Sequence, residues 1–143
     1  MPDKDYLKYW RVIRYYMQAK YNLSTPDLEM MLFLYSEKYF NKDKFYEFDQ
    51  LLCWDKKRFD KLRRDKWIVV FRKADGKSKA LYDLSYRAKR VVGDIYKYLN
   101  GEEIPMQNSS LTKKGAKYTD RVYRDMILQM NEFTRQQRRL ARQ

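Results

Sequence analysis

The chain contains no histidine. That absence removes Ser–His and Cys–His nucleophilic catalysis, imidazole-ligated zinc and the commonest general base. Cys53 is the single cysteine among 143 residues. Disulfide scaffolds and cysteine-based metal sites are therefore excluded, and a reducing cytoplasm is the expected location. Flanked by Leu52 and Trp54, Cys53 reads as a small buried apolar side chain. The four glycines are all isolated, so there is no glycine-rich loop to cradle a phosphate. No apolar run approaches the ~20 residues that span a bilayer. The opening MPDKDYLKYWRVIRYY lacks the apolar core and small residues of a secretory signal. Glu102 with Glu103, and Asp43 with Glu47, pair carboxylates without a third ligand and read as surface or cap groups. No catalytic residue, metal or cofactor is expected, and an enzymatic role is set aside.

What the chain does have is positive charge in one place. Lysine and arginine number 32 against 19 aspartates and glutamates, a net of +13. Residues 1–55 hold 8 basic and 9 acidic groups, a net of −1. Residues 56–90 hold 14 and 4, a net of +10, and residues 91–143 hold 10 and 6, a net of +4. A charge serving only solubility would be spread evenly, whereas a phosphate-binding surface must be concentrated.

Hydrophobic spacing supplies the element order. Tyr6, Tyr9, Trp10, Val12, Ile13, Tyr16 and Met17 mark a helix over 5–21. Ser24-Thr25-Pro26-Asp27 opens a second helix, with Thr25 as cap, running through Leu28, Met31, Leu32 and Tyr35 to about Lys38. After Asn41-Lys42-Asp43 a short third helix turns Phe45, Phe48, Leu51 and Leu52 inward. Asp55 caps a fourth from Lys56 to Lys66, apolar only at Phe59 and Leu62. The period then becomes two: Trp67–Arg72 and Lys79–Leu84 form a hairpin about Asp75-Gly76. Ser85 caps a fifth helix with core positions Ala88, Val91, Val92, Ile95, Tyr96 and Leu99, ended by Gly101. Glu102 to Ser110 reads as a loop, and a last helix covers about 119–141, arginine-rich beyond Phe133.

This order predicts a mainly α fold with a small β-hairpin wing, a winged helix-turn-helix carrying extra N- and C-terminal helices. Residues 1–143 are expected to form one domain, with 26–100 as the DNA-binding core. On the fourth helix Lys57, Lys61 and Arg64 lie opposite Phe59 and Leu62, flanked by Arg58 and Asp60. Such a helix suits a major groove, its cations reaching phosphates or guanines and Asp60 accepting from a cytosine amino group. Lys56 at its start and Arg72, Lys73, Lys77 and Lys79 on the wing complete the expected DNA-binding set, the wing following the backbone or minor groove.

The stretch Asp55–Ser85 resembles the DNA-binding core of MarR-type winged-helix regulators. The matching residues are Leu62-Arg63-Arg64-Asp65-Lys66-Trp67-Ile68, then Asp75-Gly76-Lys77, then Leu84-Ser85-Tyr86-Arg87-Ala88. Lys66 stands where that pattern has a glycine, Lys77 for the wing arginine, Ser85 for threonine and Ala88 for a second glycine. The segment after Asn100 is similar to small winged-helix proteins of tailed phages, which would place the protein in a host cytoplasm, on the nucleoid.

The resemblance implies a homodimeric transcription regulator, its first and last helices intertwining through Tyr6, Tyr9, Trp10, Ile13, Met17, Val122, Met126, Met130 and Phe133. It also implies a pocket for a small aromatic acid, which Tyr15, Tyr16 and Trp54 would line, although nothing in the residues calls for such an effector. The expected partners are thus double-stranded DNA and a second copy, with no membrane. Two other readings remain: an adaptor docking on polymerase or replication proteins, and non-specific nucleic-acid binding. The 14 tyrosines read chiefly as core or interface residues at helical spacing, Tyr9, Tyr16, Tyr35 and Tyr96 among them.

Overall fold

The computed structural model describes residues 5–106, 111 and 117–142. Its elements are α1 (Tyr6–Tyr21), α2 (Thr25–Glu37), α3 (Lys42–Leu51), α4 (Arg58–Arg64), β1 (Ile68–Arg72), β2 (Leu81–Leu84), α5 (Tyr86–Leu99) and α6 (Tyr118–Ala141). The protein is mainly helical with one small antiparallel sheet. Asn108–Ser110 of the expected loop lie outside the described residues. The chain groups into two compact units, one of Ser24–Gly93 and one of the residues before and after it.

In the Ser24–Gly93 unit, α2 starts where Ser24, not Thr25, accepts from the Asp27 backbone N–H at 3.2 Å. Leu28, Met30, Met31 and Leu34 are fully buried, as helical spacing requires. Asn41 caps α3 by accepting from Lys44 N at 2.9 Å. With Phe45 turned inward, Asp49 falls on the same side one turn later, while Leu51 lies well around the helix. Leu51 is accordingly 70% exposed, correcting the inward placement, and Asp49 is buried in its stead; Cys53, expected to be buried, is exposed past the end of the helix.

The hairpin pairs Ile68 with Leu84, Val69 with Asp83 and Val70 with Tyr82, then shifts register before Arg72. Its turn is closed by Asp75, whose carboxylate accepts from the N–H groups of Lys77 and Ser78 at 3.0 and 2.8 Å. Phe40 bridges the far side of β2, with Phe40 N to Tyr82 O at 3.0 Å and Tyr82 N to Phe40 O at 2.7 Å. The hairpin is thus fastened to the α2–α3 connection. Ser85 caps α5 by accepting from Ala88 N at 3.2 Å.

In the other unit, α1 packs on α6 and buries Val12, Ile13, Tyr16 and Met17. From α6, Ile127, Met130 and Asn131 are buried. Asn131 clasps the backbone of Ile104 from both sides, accepting from its N–H at 2.8 Å and donating to its carbonyl at 2.9 Å. Gly101, with φ 96, ends α5: its N–H and that of Glu102 return to the carbonyls of Tyr98 and Lys97. Tyr98, seven residues beyond Val91, takes the buried slot, and Tyr96 is exposed, which corrects its core assignment.

Three non-glycine residues among those described have positive φ, and one ends α4. Lys66 (φ 62) sends its N–H to Arg63 O at 3.0 Å, and Trp67 sends its own to Leu62 O at 2.8 Å. That is a helix stop in the left-handed conformation, which disfavours a side chain by about 1–2 kcal/mol. Lys66→Gly should therefore raise stability by up to about 1 kcal/mol, measured as a higher urea midpoint at unchanged slope; an unchanged or lower midpoint contradicts it.

Candidate nucleic-acid interface

The site is built on α4, a helix of seven residues that propensity alone would not hold in water. It is held by a core face of Phe59 and Leu62 and by a third buried side chain, Arg58. Phe59 meets the rings of Phe45 and Tyr82 edge-on, with centroids 5.1 and 5.0 Å apart. Arg58 is only 4% exposed. Its Nε donates to Asp49 Oδ1 at 2.6 Å, Nη1 to Asp27 Oδ1 at 2.7 Å and Nη2 to the Cys53 carbonyl at 2.8 Å. The second oxygen of Asp49 accepts from Asp55 N at 3.0 Å, and that of Asp27 from Lys61 Nζ at 3.0 Å. One guanidinium therefore fastens α4 to α2, to α3 and to the turn between α3 and α4.

This corrects the assignment of Arg58 to the DNA-facing set: its charge is spent inside the fold. Lys61 is intermediate, since its stem is half exposed while its ammonium rests on Asp27. Burial pushes the Asp27 carboxyl up, but hydrogen bonds from Lys61, Arg58 and Ser24 outweigh it and hold the group below its ordinary value. Burial would likewise lower Arg58, yet Asp49 and Asp27 keep it raised and permanently charged.

α4 starts at Arg58 with Lys57 as its N-cap, two residues later than the expected start at Lys56, so Asp55 is not its cap and Lys56 and Lys57 lie in the turn before it. Lys56 and Lys57 are exposed there, and Asp60 and Arg64 are exposed on the helix. Arg72, Lys73 and Lys77 are exposed on the hairpin. Lys79 is exposed too, but it pairs with Asp43 at the start of α3. Among the described residues, Lys56, Lys57, Arg64, Arg72, Lys73 and Lys77 form no ion pair. Sequence reading passed over two further cations here: Arg63, its guanidinium 5.3 Å from the centre of the Tyr82 ring, and Arg87, 4.1 Å from that of Trp67. Both brace the hairpin and the helices beside it rather than project freely.

The expected dimer residues fare differently. Ile13, Met17 and Met130 are covered inside the α1–α6 unit of the same chain, correcting their assignment to a face awaiting a partner. Tyr9, Trp10, Val122 and Met126 are half-buried, and only Tyr6 and Phe133 are exposed. The three side chains that would line an effector pocket are engaged elsewhere. Tyr15 stacks on Tyr123 with centroids 3.8 Å apart and donates to Asp120 at 2.5 Å; burial and that bond push its hydroxyl up to about 12. Tyr16 donates to the Pro105 carbonyl at 2.8 Å, and Trp54 leans on Tyr46. A cleft of about 670 Å³ does open beside α6, lined by Tyr9, Asn100, Phe133, Gln137 and Arg138.

No cluster among the described residues could hold a metal ion, and no described helix is long and apolar enough to cross a membrane. Comparison with family models, with curated proteins and with solved structures gave no match to this chain.

Two outcomes follow from the buried cluster. Arg58→Ala leaves buried Asp49 without a cation and Asp27 with Lys61 alone, and should lower stability by about 3–5 kcal/mol, whereas Arg64→Ala should stay within ~0.5 kcal/mol; equal effects in urea unfolding would remove the clamp. Asp27 has a lower value folded than unfolded, near 3.9 for a free aspartate. Its contribution is therefore complete above about pH 4 and drains away as pH falls through the folded value. Melting temperatures between pH 7 and pH 2 should fall more steeply for the parent than for Asp27→Asn.

Proposed function

We propose that this chain is a winged helix-turn-helix protein, of the kind the MarR-type pattern suggests, that binds double-stranded DNA and regulates transcription in the cytoplasm. α3 and α4 serve as the helix-turn-helix, α4 entering the major groove, and the β1–β2 hairpin is the wing. The observation that carries this reading is the division of α4. Its inner face is committed to the core and to the Arg58 clamp, while Lys57, Asp60 and Arg64 are left outside with exposed hairpin cations beside them. Such a helix presents cations without spending them on its own carboxylates, as phosphate and guanine contacts require. Lys66 adds support: it adopts the left-handed conformation at the position where the pattern has glycine.

Assembly into a homodimer belongs to the same proposal, with Tyr6 and Phe133 as the expected residues still open to a partner. Two α4 helices would then sit roughly 34 Å apart, one DNA turn, on a pseudo-palindromic site.

If about six phosphates are neutralised, log affinity should fall with log salt at a slope near −5. A slope shallower than about −2 in gel-shift titrations overturns the duplex reading. Arg64→Ala should narrow the gap between matched and scrambled duplexes, whereas Lys73→Ala with Lys77→Ala should weaken both alike. A protein partner captured through Lys57 and Arg64, with no duplex affinity, would favour the adaptor reading instead.

A further inference from the structure

The Ser24–Gly93 unit carries a second surface of opposite character. Phe71 is 54% exposed and stacks on Tyr39, itself 48% exposed, with centroids 4.0 Å apart. Val69, two residues before Phe71 on β1, is 40% exposed. It pairs with Asp83, which together with Tyr35, Lys38, Tyr39, Leu84 and Lys89 lines a groove of about 430 Å³. The aromatic wall is thus continuous from the end of α2 onto the hairpin. β1 has one neighbour in its sheet, so its other edge has no paired strand among the described residues. Lys38 has φ 64 and ψ −88, a strained turn that puts Tyr39 on Phe71 while Phe40 enters the bridge to Tyr82.

We propose that this wall is a docking surface for an extended acidic segment of another protein, laid along β1 with apolar side chains against Tyr39, Phe71 and the groove. Exposed apolar surface rimmed by charge marks such sites, and a bare strand edge is completed by an added strand. The sign of the partner follows from the rim. Lys38 lines the groove and Arg72 follows Phe71 on β1; both are exposed and form no ion pair among the described residues, while Asp83 is occupied by Lys89 at 2.8 Å. The phosphate backbone that a duplex presents gains nothing from valine, phenylalanine and tyrosine, so double-stranded DNA fits the rim and not the wall. A second copy of this chain would bring the same cations face to face across a two-fold axis.

Selection from a random displayed peptide library on the full chain tests this, with counter-selection on the Tyr39→Ser, Phe71→Ser double variant. The expected result is enrichment of peptides that alternate apolar residues with Asp or Glu. A synthetic copy should bind the parent at least tenfold more tightly than the double variant. Lys38→Glu, at an exposed position, should give a similar loss, so the result does not depend on the double variant folding. Enriched peptides that are basic, or that bind parent and variants equally, overturn the proposal, as does no enrichment. A tenfold loss of duplex affinity in the double variant would assign the wall to nucleic acid. Conversion of a dimer to a monomer in sedimentation would assign it to a second copy.

Discussion

The arrangement of the basic region depends on one buried cation. Arg58 holds Asp49 at 2.6 Å and Asp27 at 2.7 Å, and with Lys61 the four groups sum to zero charge. Remove the guanidinium and two carboxylates face each other in the core; remove the carboxylates and a guanidinium is stranded. Either defect costs more than a seven-residue helix can recover from its own hydrogen bonds. The clamp therefore does what length cannot, fixing α4 against α2 and α3 with little backbone of its own. It also decides which cations remain outside.

The clamp explains how so short a helix can hold a fixed orientation. Phe59 and Leu62 supply burial, which is non-directional and tolerates rotation about the helix axis. Arg58 supplies direction, because a planar fork bonded to groups on two other helices admits few orientations. With rotation fixed, Lys57 and Arg64 have a defined outward bearing. The hairpin is held by the same economy: the Phe40 bridge on one side of β2, Arg63 over Tyr82 and Arg87 over Trp67.

Much of this was legible in the residues. Apolar periodicity located the six α-helices among the described residues, the Asp75-Gly76 turn located the hairpin, and Ser85 and Gly101 marked the two ends of α5. The clamp was not, because a charged residue in a basic segment reads as solvated, and its carboxylates lie 9 and 31 positions away. A subtler signal was available: Asp27 shares the inward helical slots of Met30, Met31 and Leu34, and Asp49 sits one turn from Phe45. Acidic residues at core positions on two helices call for a buried cation. Leu51 and Tyr96 failed for the opposite reason, since a hydrophobic label was followed where helical angle should have ruled. The apolar faces of α1 and α6 satisfied one another within the chain, which composition could not distinguish from pairing between chains.

Net charge is therefore the wrong quantity with which to judge this molecule. Of the 14 cations between residues 56 and 90, Arg58, Lys61, Lys79 and Lys89 are balanced by Asp27, Asp49, Asp43 and Asp83. Those pairs add rigidity and almost nothing to a long-range field, because each is close to neutral when seen from a Debye length away. Any attraction for a polyanion would come instead from cations outside these pairs, among them Lys57 just before α4, Arg64 on it, and Lys73 and Lys77 on the hairpin. Two surfaces of the same unit thus diverge in chemistry. Around α4 the exposed groups are charges that phosphates can meet singly, whereas around Tyr39 and Phe71 charge only frames an apolar centre. Binding at the first should weaken steeply with salt. At the second, screening removes the contribution of the rim and leaves the burial of the rings, so salt dependence separates the two without any substitution.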